Sequence, residues 1–328
     1  MREYRAFLLS SGPGTRLRPL TELIPKPLVP IFHKPLLTFA LDHLLSLGID
    51  QIGVNTRYLW ESFYEEFQVQ TSSDKNDFGV YEKTPLHFFK ETSFLDTGGS
   101  LRHARRFLET GTFLIHNGDI LTNILLEDLF QQHRDSDAIA TLLLREEGGA
   151  LNVCYNEQSN RVVGIRGHFS DPEYPLFLYC GIAVVEPSIF NFIAPEGSVS
   201  LIDALLEAMK TGHRVGGFVS RSGFWSDIGT PESYLKTHAD LAHADWKFYY
   251  PLQGPTAGTW PHPIHRTATI DPSATLKGLV VVGPHASIAQ NAKVTNSILL
   301  PGASISANSN HDGSVILPSP ISHLPSFL

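Results

Sequence analysis

Cysteine is nearly absent: the chain has two, Cys154 and Cys180, far apart in sequence. That spacing excludes a disulfide framework and the paired-cysteine zinc patterns, and a reducing cytoplasm is the expected setting. No apolar run reaches membrane length. The opening M-R-E-Y-R-A-F-L-L-S meets Gly12-Pro13-Gly14 after a short stretch that fits neither a signal peptide nor a membrane span. Positive charge is also short, with 25 Lys and Arg against 33 Asp and Glu and a net charge of −8, which argues against broad nucleic-acid binding. Histidine is plentiful at fifteen residues, but no pair stands at a convincing ligand spacing, so the histidines read as structural or exposed. What is present, 328 residues with 42% apolar and 18% charged content, suits a globular enzyme with a sizeable core and a small-molecule ligand, with no nucleic acid or membrane as partner.

Short β-branched or aromatic runs alternate with helix-period segments through the first two thirds of the chain, the pattern of βα units on a mostly parallel sheet. Strands are expected at 4–9, 51–55, 86–90 and 112–116, and helices at 36–47, 60–67 and 100–108. The last strand ends at Asn117-Gly118-Asp119. Ligands gather at the carboxyl ends of strands in such sheets, so this turn and the 10–20 loop point at one crevice. From His243 to Pro263 the composition shifts to Pro, Gly and aromatics, which reads as a linker. Ile264, Ile270, Leu276, Val282, Ile288, Val294 and Leu300 then recur every six residues, with Ala268, Ala274, Ala286 and Ala292 in the same phase. Hexapeptide periodicity is the signature of a parallel β-helix. The echo of 297–301 in 314–318 carries it into the tail. The expected division is a domain over 1–245, a linker over 246–263 and a β-helix over 264–328.

The stretch S-S-G-P-G-T-R-L-R-P-L at 10–20 is neither a Rossmann fingerprint, since the third glycine would fall at Leu17, nor a P-loop, since no Gly-Lys-Ser/Thr follows. A glycine-rich loop leaving a strand can still aim backbone N–H groups at phosphate oxygens, with Arg16, Arg18 and Lys26 adding charge. The residues alone leave a basic surface loop open. Arg16 is the sharper candidate; Arg18 and Lys34 read as solvated or structural.

The run L-S-S-G-P-G-T-R-L-R-P-L-T followed by P-K-P-L closely resembles the opening of the sugar-1-phosphate nucleotidylyltransferases. Leu95-Asp96-Thr97-Gly98-Gly99-Ser100-Leu101 resembles their nucleotide-base segment, Asn117-Gly118-Asp119 their metal-binding turn, and 224–230 their second metal-binding segment. Four motifs in order span residues 5–235, and the hexapeptide tail occurs in several branches of the family. The resemblance implies a Rossmann-like α/β nucleotidylyltransferase domain with a mostly parallel mixed sheet, plus a short left-handed parallel β-helix. It implies NTP and sugar-1-phosphate as substrates, Mg²⁺ as cofactor, and a homo-oligomer formed through the β-helix. Nucleotide contacts fall on Ser10, Ser11, Gly12, Gly14, Thr15, Arg16, Thr97, Gly98 and Gly118, and sugar contacts on Asn117, Gly181 and Arg166. Arg16 and Lys26 act on the phosphates, while Asp119 and Asp227 hold the metal.

Departures from the family pattern are specific. Ser10-Ser11 replaces the usual Ala-Gly or Ala-Ala, and both remain small. The Glu-Lys-Pro that precedes the sugar-binding strand in many relatives is missing; Arg166 or His168 substitutes for its lysine, the sugar phosphate is held differently, or 163–168 is an exposed hairpin. Asp96-Thr97-Gly98-Gly99 is similar to N-acetylmuramate-1-phosphate uridylyltransferases, whereas the opening motif and tail are more similar to mannose-1-phosphate guanylyltransferases. Rival readings are a non-catalytic NDP-sugar-binding subunit and a hexapeptide acyltransferase. The four charges Arg16, Lys26, Asp119 and Asp227 favour the enzyme over the former, and a solenoid of about two to three coils is short for the latter.

Overall fold

A computed structural model describes residues 4–71, 77–169, 171–243 and 261–319. Ten strands form one mixed sheet, ordered Val153–Asn156, Arg161–Ile165, Val215–Val219, Ala140–Arg145, Leu176–Val185, Phe113–Asn117, Arg5–Leu9, Gln51–Thr56, Thr84–Lys90 and Asp77–Tyr81. Arg5–Leu9 lies parallel to both neighbours, Gln51–Thr56 and Phe113–Asn117, and Gln51–Thr56 lies parallel to Thr84–Lys90. The chain therefore leaves its first strand to one side and later returns on the other, which opens a crevice at the carboxyl ends. Alternation along Arg5–Leu9 sends Ala6 and Leu8 to the apolar layer that holds the Leu36–Ser46 helix, and Phe7 to the opposite layer with the Leu201–Lys210 helix.

The helix expected at 100–108 differs from the structure. It begins earlier, at Asp96, and breaks at Ala104 into Asp96–His103 and Arg105–Leu108. Gly98-Gly99 reads as a loop because glycine disfavours helix interiors. Here close packing overrides that preference, since a Cβ on Gly98 would lie 2.9 Å from the carbonyl oxygens of Val199 and Ser200.

In the tail, three parallel three-stranded sheets stack as the faces of a prism, in the manner of a left-handed β-helix. Its interior holds Val282, Ile288, Val294, Leu299 and Ile305. The six-residue phase slips once: Val282 pairs with Leu299, not Leu300. Leu300 consequently points outward, and with Val281 and Ile298 it joins the apolar cluster that includes Ala6, Leu8 and the Leu36–Ser46 helix. The outward positions of the other two faces are polar, among them Ser287, Ser304, Lys293 and Asn310. Most of the expected linker and the boundary at 245 lie outside the described residues.

This docking predicts what truncation does. Removing residues after 245 uncovers the surface that Val281, Ile298 and Leu300 cover, each worth about 1.5–3 kcal/mol of burial. A 1–245 chain should melt well below the full-length protein in calorimetry and still bind nucleotide, since every catalytic candidate precedes residue 230. Equal melting temperatures would contradict the docking, and a folded chain without nucleotide binding would contradict the independence of the cleft.

Besides His133, which is hydrogen-bonded to Thr141 and Glu186, three histidines among the described residues are buried: His43, His116 and His238. Burial holds each down to about 4, with His116 adding to the effect on His43 and His33 to that on His238. A histidine whose folded pKa lies below its unfolded value near 6.5 binds its proton more readily when unfolded. Their stabilising contribution is full above about pH 6.5 and falls as pH drops toward 4, by roughly 2 kcal/mol for each at about pH 5. The melting temperature should hold steady from about pH 8 to 7 and decline steeply below 6; a flat profile to pH 4.5 would contradict this burial.

Candidate active site

The glycine loop leaves the strand Arg5–Leu9 and is pinned from beneath by Asn55, which is 1% exposed. The Ser10 backbone N–H donates to Asn55 Oδ1 at 2.5 Å, and Asn55 Nδ2 lies 3.0 Å from Ser11 Oγ, 3.0 Å from Ser100 Oγ and 2.7 Å from Glu91 Oε1. Asn55 is thus the buried tie that joins the loop to Glu91 and Ser100. Sequence reasoning missed Glu91 altogether; its other carboxylate oxygen is buried without a hydrogen-bond partner.

The Asn117-Gly118-Asp119 turn presses directly on this loop. Gly118 N–H donates to Leu9 O at 2.9 Å, and a Cβ on Gly118 would lie 2.3 Å from Ser10 Oγ, so any side chain there would have to displace Ser10. Asp119 then stands one residue before the short strand Ile120–Thr122, which pairs antiparallel with Trp225–Asp227, Asp227 facing Ile120. That register is what joins two carboxylates more than a hundred residues apart in sequence.

Lys26 stands between them. Its ammonium is 2.7 Å from Asp119 Oδ2 and 2.8 Å from Asp227 Oδ1, and Arg16 Nη2 is 3.3 Å from Asp227 Oδ2. Lys26 is 6% exposed, held at the start of a 3-10 turn, Lys26–Leu28, after Pro25. Burial by itself would depress its ammonium, but Asp119 and Asp227 outweigh burial and raise it above its ordinary value. Burial by itself would lift the Asp227 carboxyl, yet Lys26 and Arg16 bring it below the usual carboxylate range. Both groups therefore carry full charge near neutral pH. Arg16 is different in kind: its side chain is 68% exposed and its salt bridge lies at the surface.

Among the described residues no group of three or more acidic, histidine or cysteine side chains could hold a metal ion. Two carboxylates still fit one. Asp119 Oδ2 and Asp227 Oδ1 already converge on a single point of positive charge, and Mg²⁺ takes one or two carboxylates while substrate phosphates and water complete its shell.

A cleft of about 350 Å³ joins these parts. Ser10, Ser11, Gly12, Gly14, Thr15 and Arg16 line it, as do Lys26, Thr97, Asn117 and Asp119. Gly98 and Gly118 do not line it and serve close packing instead. Asp227 reaches it through Lys26 and Arg16. Gly181 sits behind Asn117, at a φ of 77°, with room for no Cβ: one would lie 2.6 Å from Asn117 Nδ2. Arg166 is not brought to the cleft. It is exposed in the turn after Arg161–Ile165, its N–H donating to Asn152 O at 2.7 Å.

Residues 5–244 match the nucleotidyl transferase family. A mannose-1-phosphate guanylyltransferase of Mycobacterium tuberculosis is 29% identical over 301 residues, which cover 90% of this chain and 80% of that protein. A D-glycero-α-D-manno-heptose 1-phosphate guanylyltransferase of Aneurinibacillus thermoaerophilus is 27% identical over 245 residues, covering 73% and 98%. Among solved structures, HddC from Yersinia pseudotuberculosis complexed with GMP-PN has the same fold, with a TM-score of 0.57 at 22% identity over 73% of this chain and 99% of that one. With the match running unbroken through the glycine loop, the base segment, the Asn-Gly-Asp turn and the Asp227 strand, the chain belongs to the nucleotidyl transferase family.

Proposed function

We propose that the protein joins an NTP to a sugar-1-phosphate, releasing pyrophosphate and forming an NDP-sugar, and that its pair of substrates is GTP and mannose-1-phosphate. The observation that carries this reading is the charge relay Arg16–Asp227–Lys26–Asp119 at the mouth of a glycine loop. A phosphate oxygen of the sugar-1-phosphate attacks the α-phosphorus of the NTP. That nucleophile is already an anion, so no general base is needed and the work of the protein is alignment and charge compensation. Backbone N–H groups of Ser11, Gly12 and Gly14 cradle the triphosphate; Pro13 has none to give. Arg16 holds the β- and γ-phosphates as they depart. Lys26 offsets charge nearer the reacting phosphorus, its ammonium kept protonated by the two carboxylates. Asp119 and Asp227 would hold Mg²⁺, which supplies Lewis-acid stabilisation of phosphate oxygens when bound.

Guanylyl transfer is favoured by the two relatives described above, both guanylyltransferases by name. Pyrophosphate release from each NTP against a panel of sugar-1-phosphates tests the assignment. GTP with mannose-1-phosphate should give the highest kcat/KM. Faster turnover of UTP with N-acetylmuramate-1-phosphate would overturn the base and sugar while keeping the reaction, and binding without turnover of any pair would identify a non-catalytic NDP-sugar-binding subunit. Among the described residues no helix is long and apolar enough to cross a membrane. The cytoplasmic reading rests on the two widely spaced cysteines. A homo-oligomer would use the polar faces or the coil ends of the β-helix, since its apolar face is covered within the chain. Light scattering at micromolar concentration should give a dimer or larger; a monomer would overturn that part.

A further inference from the structure

Phe94 does not fit the economy of a folded core. It is 55% exposed, and of the exposed large apolar side chains described it alone lines the cleft. Apart from Leu9, Pro13 and Pro27, the rest of the cleft lining is small or polar, including Ser11, Gly12, Asp96 and Thr97. The backbone beneath it is fixed. Leu95 O accepts from Val199 N at 3.0 Å, Gly99 N donates to Val199 O at 2.9 Å, and Asp96 adopts a φ of 59°, a left-handed conformation uncommon for a residue with a side chain. The ring is thus presented to the cleft on a rigid support.

Arg57 stands at its back. This residue follows the carboxyl end of the Gln51–Thr56 strand, and its guanidinium carbon lies 5.6 Å from the Phe94 ring centroid. Its Nε is buried without a hydrogen-bond partner, and no carboxylate among the described residues pairs with it. The cation–π contact is therefore the interaction the structure gives this charge.

We propose that Phe94, positioned by Arg57, is the platform on which the nucleobase of the NTP stacks, and that it biases the site toward purines. A flat aromatic face in a cleft otherwise built for phosphates has one class of partner within the substrate, the base. Stacking grows with ring area, so a two-ring purine gains more from the contact than a pyrimidine. The inference rests on the nucleotidyl-transfer reading and deepens it by assigning a residue to base selection, which Asp96 to Gly99 do not supply through side-chain area.

Equilibrium binding of GTP, CTP and inorganic tripolyphosphate to the full-length protein and its variants tests this. Phe94→Ala should weaken GTP binding about 10- to 100-fold, weaken CTP binding several-fold less, and leave tripolyphosphate binding unchanged. Phe94→Trp should restore GTP affinity. Arg57→Ala should shift GTP binding in the same direction, and adding it to Phe94→Ala should cost nothing further, the signature of a residue acting through another. Melting temperatures of the Phe94 variants should stay at the wild-type value, since the ring is largely exposed. Unchanged GTP affinity in Phe94→Ala overturns the proposal, as do equal losses for GTP and CTP, or a parallel loss of tripolyphosphate. Failure of the wild-type protein to bind any NTP would instead overturn the nucleotidyl-transfer reading itself.

Discussion

Replacing Arg16 with alanine should lower turnover at least about 100-fold and leave the melting temperature unchanged. The two halves of this expectation have separate causes. Arg16 extends from the loop with most of its side chain in solvent, and its contact with Asp227, at 3.3 Å, is the kind of surface ion pair that contributes little to stability. Facing a triphosphate in a cleft, the same guanidinium meets charge that grows on the departing pyrophosphate, and there its contribution is to the transition state. Steady-state kinetics and thermal melting on one preparation separate the two. Near-normal turnover would remove Arg16 from the mechanism, and a large fall in melting temperature would make it structural.

Asp119→Asn and Asp227→Asn should each cost about 100- to 1,000-fold in kcat, while the double variant should be scarcely worse than the worse single one. The reason is geometric. Both carboxylates converge on one point, now marked by the Lys26 ammonium, and a cation held by two donors is lost when either goes. Removing the second donor then takes away nothing further, which appears as strong non-additivity. Fully multiplicative losses would assign the carboxylates independent roles, and activity that survives EDTA would exclude the metal.

How much of this was legible in the sequence differs from part to part. The strand–helix alternation was readable because the sheet is buried on both sides and its strands are continuous apolar runs, such as Phe113 to Ile115. The β-helix was readable from its six-residue phase, but not the slip that turns Leu299 inward and Leu300 toward the catalytic domain. A one-residue shortening of a coil leaves both neighbours apolar, so the pattern alone cannot choose between them. Arg16, Lys26, Asp119 and Asp227 all stood in recognisable motifs, and the first three line one cleft. Asp227 approaches them through the pairing of Trp225–Asp227 with Ile120–Thr122, a contact between segments far apart in sequence that no local signal encodes. The hydrogen bonds of Asn55 and the place of Phe94 went unread for opposite reasons. Asn55 is an ordinary strand-end residue until four partners close around it, and Phe94 looks like core until its exposure is known. Arg166 was a candidate because the Glu-Lys-Pro lysine of many relatives is missing, and the structure leaves it exposed in the turn after Arg161–Ile165, outside the lining of the cleft.

The claim on which the account turns is that a phosphate oxygen of the sugar-1-phosphate attacks the α-phosphorus of the nucleotide directly. Labelling the phosphate oxygens of mannose-1-phosphate with ¹⁸O and following GTP turnover by ³¹P NMR tests it most directly. The account predicts isotope-shifted resonances in the GDP-mannose formed, with label in the phosphate nearest the sugar and in the bridge, and unlabelled pyrophosphate in equal amount. Label in the pyrophosphate, or pyrophosphate released without a matching NDP-sugar, would contradict it.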